Sequence, residues 1–136
     1  MSDGPVCNST GRLFFYLTSL DETAYDVEVY PTVSFTVAEA AITNNADALG
    51  CGSTDVEDPT CAKLVVIGDL LVVPKDEQDY AIDLLASRHP VIKSWPANHG
   101  FQPYELHIDT LNILDFYEGM KQVPTQEYFN ANYTSC

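Results

Sequence analysis

Positive charge is what this chain has least of. Six lysines and arginines face twenty aspartates and glutamates, giving a formal net charge of −14 over 136 residues. Such a surface repels phosphate backbones and anionic lipid headgroups, because neither can release counterions to a negative partner. Nucleic acid is therefore not an expected partner. Long apolar runs are missing as well. Residues 64–73 form the longest and Gly68-Asp69 interrupts it, far short of the ~20 residues of a membrane-spanning helix. Of seven glycines only Gly50-Cys51-Gly52 cluster, so neither a G-x-G-x-x-G fingerprint nor a P-loop is present. No G-x-S-x-G elbow exposes a serine nucleophile. His89, His99 and His107 are too widely spaced for a local metal-ligand pair. Asp55, Glu57 and Asp58 lack the alternating spacing and closing glutamate of an EF-hand loop and read as a solvated acidic stretch.

What is present fits one domain spanning residues 1–136. The chain is 46% hydrophobic and 11% aromatic, enough to bury a core at near-modal domain size. Residues 13–17 are a continuous apolar run suited to a buried strand. Residues 32–37 alternate, with Val33, Phe35 and Val37 on one face. Residues 64–73 read as a strand with a bulge or bend at Gly68-Asp69. Tyr104, Leu106 and Ile108 alternate with Glu105, His107 and Asp109 in another half-buried strand, which residues 113–117 extend or follow.

Residues 79–88 have a helical stripe of Ile82, Leu85 and Ala86 with Ala81 and Leu84 beside it. Acidic residues stand near its start and Arg88 near its end, matching the helix dipole, and His89-Pro90 stops it. A short helix is expected after Pro124-Thr125, with Tyr128 and Phe129 available to dock. Residues 43–60 read as a loop. Five or six strands with two or three helices predict a mainly β fold, a small barrel.

Cys51 and Cys61 flank a polar, turn-rich segment. A disulfide and a metal site both suit such a pair. No second cysteine or histidine stands nearby at a zinc-like spacing, which favours the disulfide. Cys7 and Cys136 are compatible with pairing together, with linking two subunits, or with remaining free. Asn8-Ser9-Thr10 and Asn132-Tyr133-Thr134 are acceptor triplets for N-linked glycans, placing Asn8 and Asn132 as glycan carriers. Cysteines and acceptors together point to the secretory route, although Met1-Ser2-Asp3-Gly4-Pro5 has neither the basic nor the apolar region of a signal peptide.

The segment 88–119 carries Arg88-His89-Pro90, Lys93, Trp95-Pro96, His99-Gly100-Phe101, Leu106-His107-Ile108 and Leu114-Asp115-Phe116-Tyr117-Glu118-Gly119. With Phe15-Tyr16-Leu17, it closely resembles the CREG family, the cellular repressors of adenoviral early-gene-stimulated transcription. The resemblance covers residues 2–129. It implies an FMN-binding split-barrel of the pyridoxamine 5′-phosphate oxidase-like type, and a chain that starts after the family's N-terminal helix and strand. It also implies a secreted or endolysosomal glycoprotein that forms a homodimer and meets a glycoprotein receptor. Growth or differentiation control is its implied setting. A cysteine pair placed like Cys51 and Cys61, with a slightly longer loop, occurs in the family. Glu118-Gly119 departs from the family's Gly-Gly, at a turn where positive φ is needed.

Two functional readings follow. The first is a non-enzymatic glycoprotein acting through protein binding, with no catalytic residue, cofactor or metal. The alternative is an FMN-dependent oxidoreductase. A flavin phosphate needs arginine, lysine or backbone N–H donors, and through Ala62 the only basic residue is Arg12. Arg88 and Lys93 suit carboxylate pairing, whereas Trp95, Phe101, Phe116 and Tyr117 suit either flavin stacking or a core. A truncated isoform without independent function is a third reading, which broad, non-cooperative melting would favour.

Overall fold

Strand-forming residues dominate the chain, and the structure, a computed structural model, pairs them into one principal sheet. It describes residues 1–45, 48–53 and 55–131. The strands are β1 (Leu13–Thr18), β2 (Thr32–Ala38), β3 (Thr43–Asn45), β4 (Ala48–Leu49), β5 (Lys63–Val72), β6 (Phe101–Leu114) and β7 (Met120–Val123). The helices are α1 (Glu22–Val29), α2 (Gln78–Arg88) and α3 (Thr125–Asn130), with four short 3-10 turns between elements. The five-stranded sheet runs β1-β6-β5-β2, with β7 also on β6, and β3 pairs with β4.

The chain divides into two compact units. One comprises Met1–Val33, Gly68–His107 and the chain from Tyr128 on. Here β1 and β6 are antiparallel with Leu13 opposite Leu106 and Phe14 opposite Glu105. The apolar side of that register meets α2: Phe14, Val73, Ala81, Leu84, Leu85 and Ile92 form a buried cluster with Tyr16 and Ala86 against it. The second unit comprises Ser34–Ile67 and Ile108–Glu127. Its β6–β7 ladder sets Leu111 opposite Val123, and Leu111, Val66, Cys61 and Ala40 are buried.

The predicted helix over 79–88 is α2, and His89 caps it before Pro90 as expected. Its inward stripe is Ala81, Leu84 and Leu85, at i, i+3 and i+4, while Ile82 and Ala86 lie only half-buried at its edge. The alternation at 104–109 holds, and β6 continues to Leu114. Thereafter Phe116–Glu118 forms a 3-10 turn. The strand β5 passes uninterrupted through Gly68-Asp69, where Asp69 accepts a 2.7 Å hydrogen bond from the Thr32 hydroxyl. On β2, Val33 and Phe35 are half-buried but Val37 is exposed.

Four elements lie outside the sequence-based expectations. The segment 43–60, read as a loop, contains β3 and β4. The strand β7 and the helix α1 are the others. Asp21 caps α1 by accepting a 2.8 Å bond from the Thr23 amide, and only Ala24 and Val27 are buried.

Candidate functional site

The first twelve residues are tied down from several sides. Ser2 exchanges two backbone bonds with Phe14, at 2.9 and 2.8 Å, and its buried hydroxyl donates to the Leu84 carbonyl at 2.7 Å. Arg88, at the end of α2, donates through Nε to the Gly4 carbonyl at 2.6 Å and through Nη2 to Asp3 at 3.2 Å. The Asp3 carboxylate also accepts from the Ser9 hydroxyl, while its carbonyl accepts from the Thr10 amide and hydroxyl at 2.7 and 2.8 Å. The Asn8 amide closes a turn onto the Pro5 carbonyl at 3.0 Å. These bonds present the Asn8 side chain to solvent on an ordered loop.

Asn8 lines a cleft of about 560 Å³ together with Asp3, Arg88, Gly11, Tyr128 and Phe129. From α3, Tyr128 donates its hydroxyl to the Gly11 carbonyl at 2.9 Å. Burial, and then the Asp3 charge, push the Tyr128 phenol above its ordinary pKa. Gly11 has φ +72°, and a Cβ there would lie 3.1 Å from Phe129 Cδ1. The short helix over 125–130 and its docking aromatics were legible in the sequence; their anchor at Gly11 was not. The other glycan acceptor, Asn132, lies outside the described residues, as does Cys136. Cys7 is disulfide-bonded.

A second concavity, about 370 Å³, is bordered by Tyr16, Trp95, Phe101, Lys93 and Ile92. Ring centroids are 5.9 Å apart for Tyr16–Trp95, 5.2 Å for Tyr16–Phe101 and 4.7 Å for Trp95–Phe101. Trp95 and Phe101 thus stack mainly on protein. Sequence reasoning missed Tyr16 as their partner, because the pairing of β1 with β6 creates the contact. Phe116 and Tyr117 pack edge-on against each other in their own turn and are largely exposed.

Five of the six basic residues sit beside carboxylates. Arg12 grips Glu105 with two bonds of 2.6 Å and reaches Glu77 at 3.0 Å. Arg88 faces Asp3, Lys93 faces Asp83 at 2.8 Å, Lys63 faces Glu57 at 3.6 Å and Lys121 faces Glu118. Glu105 and Glu77 hold the Arg12 guanidinium above its ordinary pKa, Glu105 most strongly. His107 is exposed, 3.9 Å from Glu105. No metal-capable cluster occurs among the described residues. Nor is any described helix long and apolar enough to cross a membrane.

Cys51 and Cys61 form a disulfide with Cα atoms 5.1 Å apart. Cys61 is fully buried, and its amide donates to the Asp58 carbonyl at 3.0 Å. The Asp58 carboxylate accepts from Ser53, from the Thr60 amide and from the Thr60 hydroxyl at 2.7–2.9 Å. The Thr60 hydroxyl leads in holding that carboxyl below the usual aspartate range.

The fold is a split barrel of the pyridoxamine 5′-phosphate oxidase-like type. It is similar to a heme binding protein from Mycobacterium smegmatis, with TM-score 0.69 at 13% identity over 90% of this chain and 46% of that one. It is also similar to the protein Atu2129, of unknown function, from Agrobacterium tumefaciens, with TM-score 0.58 at 23% identity over 81% and 41%. Within that class, the family model described as CREG, beta-barrel matches residues 1–130, and the chain belongs to the CREG family. Protein CREG2 of Mus musculus is 34% identical over 131 residues, and Protein CREG1 of Mus musculus 33% over 133. The chain spans 44% and 58% of their respective lengths.

Proposed function

We propose that this chain is a non-enzymatic, secreted or endolysosomal glycoprotein of CREG type that acts as a homodimer through protein binding, in growth or differentiation control. Family membership supports the setting. The observation that carries the non-enzymatic reading is the commitment of the arginines. Arg12, the only basic residue before Lys63, is bound by two carboxylates, and Arg88 is engaged by Asp3 and the Gly4 carbonyl. A dianionic phosphate would have to displace them and leave carboxylates unpaired. The residues present do not fit a flavin phosphate, and no step is assigned to a flavin.

The glycoprotein reading rests on the exposed Asn8. In the folded loop the Thr10 hydroxyl, which the acceptor triplet requires, is already bonded to the Asp3 carbonyl. Glycan transfer therefore belongs to the chain before this loop closes. The experiment is a visible absorbance spectrum of protein secreted from glycosylating cells, recorded after incubation with flavin mononucleotide and desalting. A spectrum without a flavin band agrees with the proposal. A retained stoichiometric band would overturn it in favour of a flavin oxidoreductase.

A further inference from the structure

We infer that the cleft beside Asn8 is a carbohydrate-binding seat for the proximal N-acetylglucosamine residues of a glycan carried on Asn8. The inference rests on the reading that Asn8 is glycosylated, and adds where that glycan lies and what it does.

Asn8 is itself part of the cleft wall, so a sugar on its side-chain nitrogen starts at the rim. The volume, about 560 Å³, falls within the roughly 300–1,000 Å³ of small-ligand sites. The wall has the mixed character an acetamido sugar needs. Phe129 is 49% exposed, a flat apolar surface for pyranose C–H groups or the acetamido methyl. Asp3 supplies acceptor lone pairs for sugar hydroxyls, while Arg88 stays on Asp3 and the Gly4 carbonyl and holds that carboxylate in the wall. The platform is also rigid. Gly11 lets the Phe129 ring close in on the backbone, and the Tyr128 hydroxyl bond to Gly11 fixes the neighbouring residue of α3.

Affinity is the usual objection to sugar–aromatic contacts, since each is weak. A covalent tether removes it, because short linkers give effective concentrations in the mM range. The groove lined by Tyr25, Val29 and Tyr30 is more apolar, but nothing on the molecule selects its occupant. Here the chain delivers the ligand.

The test uses four secreted proteins in an Asn132→Gln background, so that Asn8 carries the sole acceptor triplet: otherwise unchanged, Asn8→Gln, Phe129→Leu, and both. Mass spectrometry of the Asn8 peptide reads occupancy first; an unmodified peptide sinks the glycosylation reading, and this inference with it. With occupancy established, Asn8→Gln should lower Tm by about 2–4 °C when Phe129 is present and leave it nearly unchanged in the Phe129→Leu background. Because each comparison is made within one background, any packing loss from Phe129→Leu cancels. Trimming to a single N-acetylglucosamine should keep the stabilisation, and its acetamido methyl proton resonance should move upfield only when Phe129 is present. Equal Tm losses in both backgrounds, or a methyl resonance indifferent to Phe129, would overturn the inference.

Discussion

Arg12 and Glu105 are 93 residues apart in sequence and meet through two parallel N–H···O bonds of 2.6 Å each. The β1–β6 register makes this possible, because Phe14 lies opposite Glu105 and Arg12 is two residues away. Glu105 retains only 13% side-chain exposure. The guanidinium also lies 5.0 Å over the Phe14 ring and 5.9 Å from that of Tyr80, so its stem and charge both pack. Glu105→Gln should destabilise the protein by about 1–2 kcal/mol, the value of a charge-assisted bond discounted for the one-third exposure of Arg12. Urea denaturation monitored by circular dichroism would read this. A midpoint identical to that of the parent would show that the pair contributes nothing.

The disulfide gives a second prediction. Joining residues 10 apart constrains the unfolded chain by about 2–3 kcal/mol in the loop-entropy model. Cys51→Ser should cost about that much. Cys61→Ser should cost more, because it also buries a hydroxyl where a fully enclosed sulfur stood. Comparing each variant with its alanine counterpart, Cys51→Ala or Cys61→Ala, separates the loss of the bridge from the cost of the hydroxyl. Equal losses in the two variants would contradict the role assigned to Cys61.

How much of this was legible in the sequence depended on the range of the interaction. The period-2 alternation at Tyr104, Leu106 and Ile108 and the stop at His89-Pro90 are local signals, and both appear in the structure. The helix α1 escaped because Glu22–Val29 buries only Ala24 and Val27 and interleaves valines with acids as a strand would. Its one clear signal was Asp21, a good N-cap. The Arg12–Glu105 pair and the Tyr16–Trp95–Phe101 stack were not legible, because both depend on which strand lies beside β1, a choice periodicity does not encode. The scarcity of free cations was legible as composition, but their individual carboxylate partners were not.

The turn after β6 tests a departure from the family pattern. Gly119 has φ +82°, whereas Glu118 does not adopt positive φ, so only the second position of this Glu-Gly pair requires glycine. No atom lies within 4 Å of where a Gly119 Cβ would stand. With ψ −173° this is the extended positive-φ region that only glycine adopts readily, so Gly119→Ala should cost about 1–3 kcal/mol by backbone strain alone. Glu118→Gly should gain nothing from conformational relief and should lose the Lys121 ion pair. Thermal melts of the two variants check the ordering, and a more stable Gly119→Ala protein would refute it.

Asp58 sets the pH dependence of the disulfide loop. Its folded-state carboxyl lies below the usual aspartate range because the Thr60 hydroxyl, the Thr60 amide and the Ser53 hydroxyl all donate to the charged form. A carboxyl whose pKa falls on folding stabilises the fold fully above its unfolded value near 4, and that contribution disappears as pH drops through the lower folded value. At neutral pH the parent should melt above Asp58→Asn, which loses the charged acceptor but keeps the shape. As pH falls through the lowered folded-state value the two melting temperatures should converge, since both proteins then carry a neutral group. Other carboxylates titrate in the same window, so the difference between the two proteins, and not the parent curve, is the readout. A difference that stays constant from neutral to acid would mean that the Asp58 charge has no part in holding the loop.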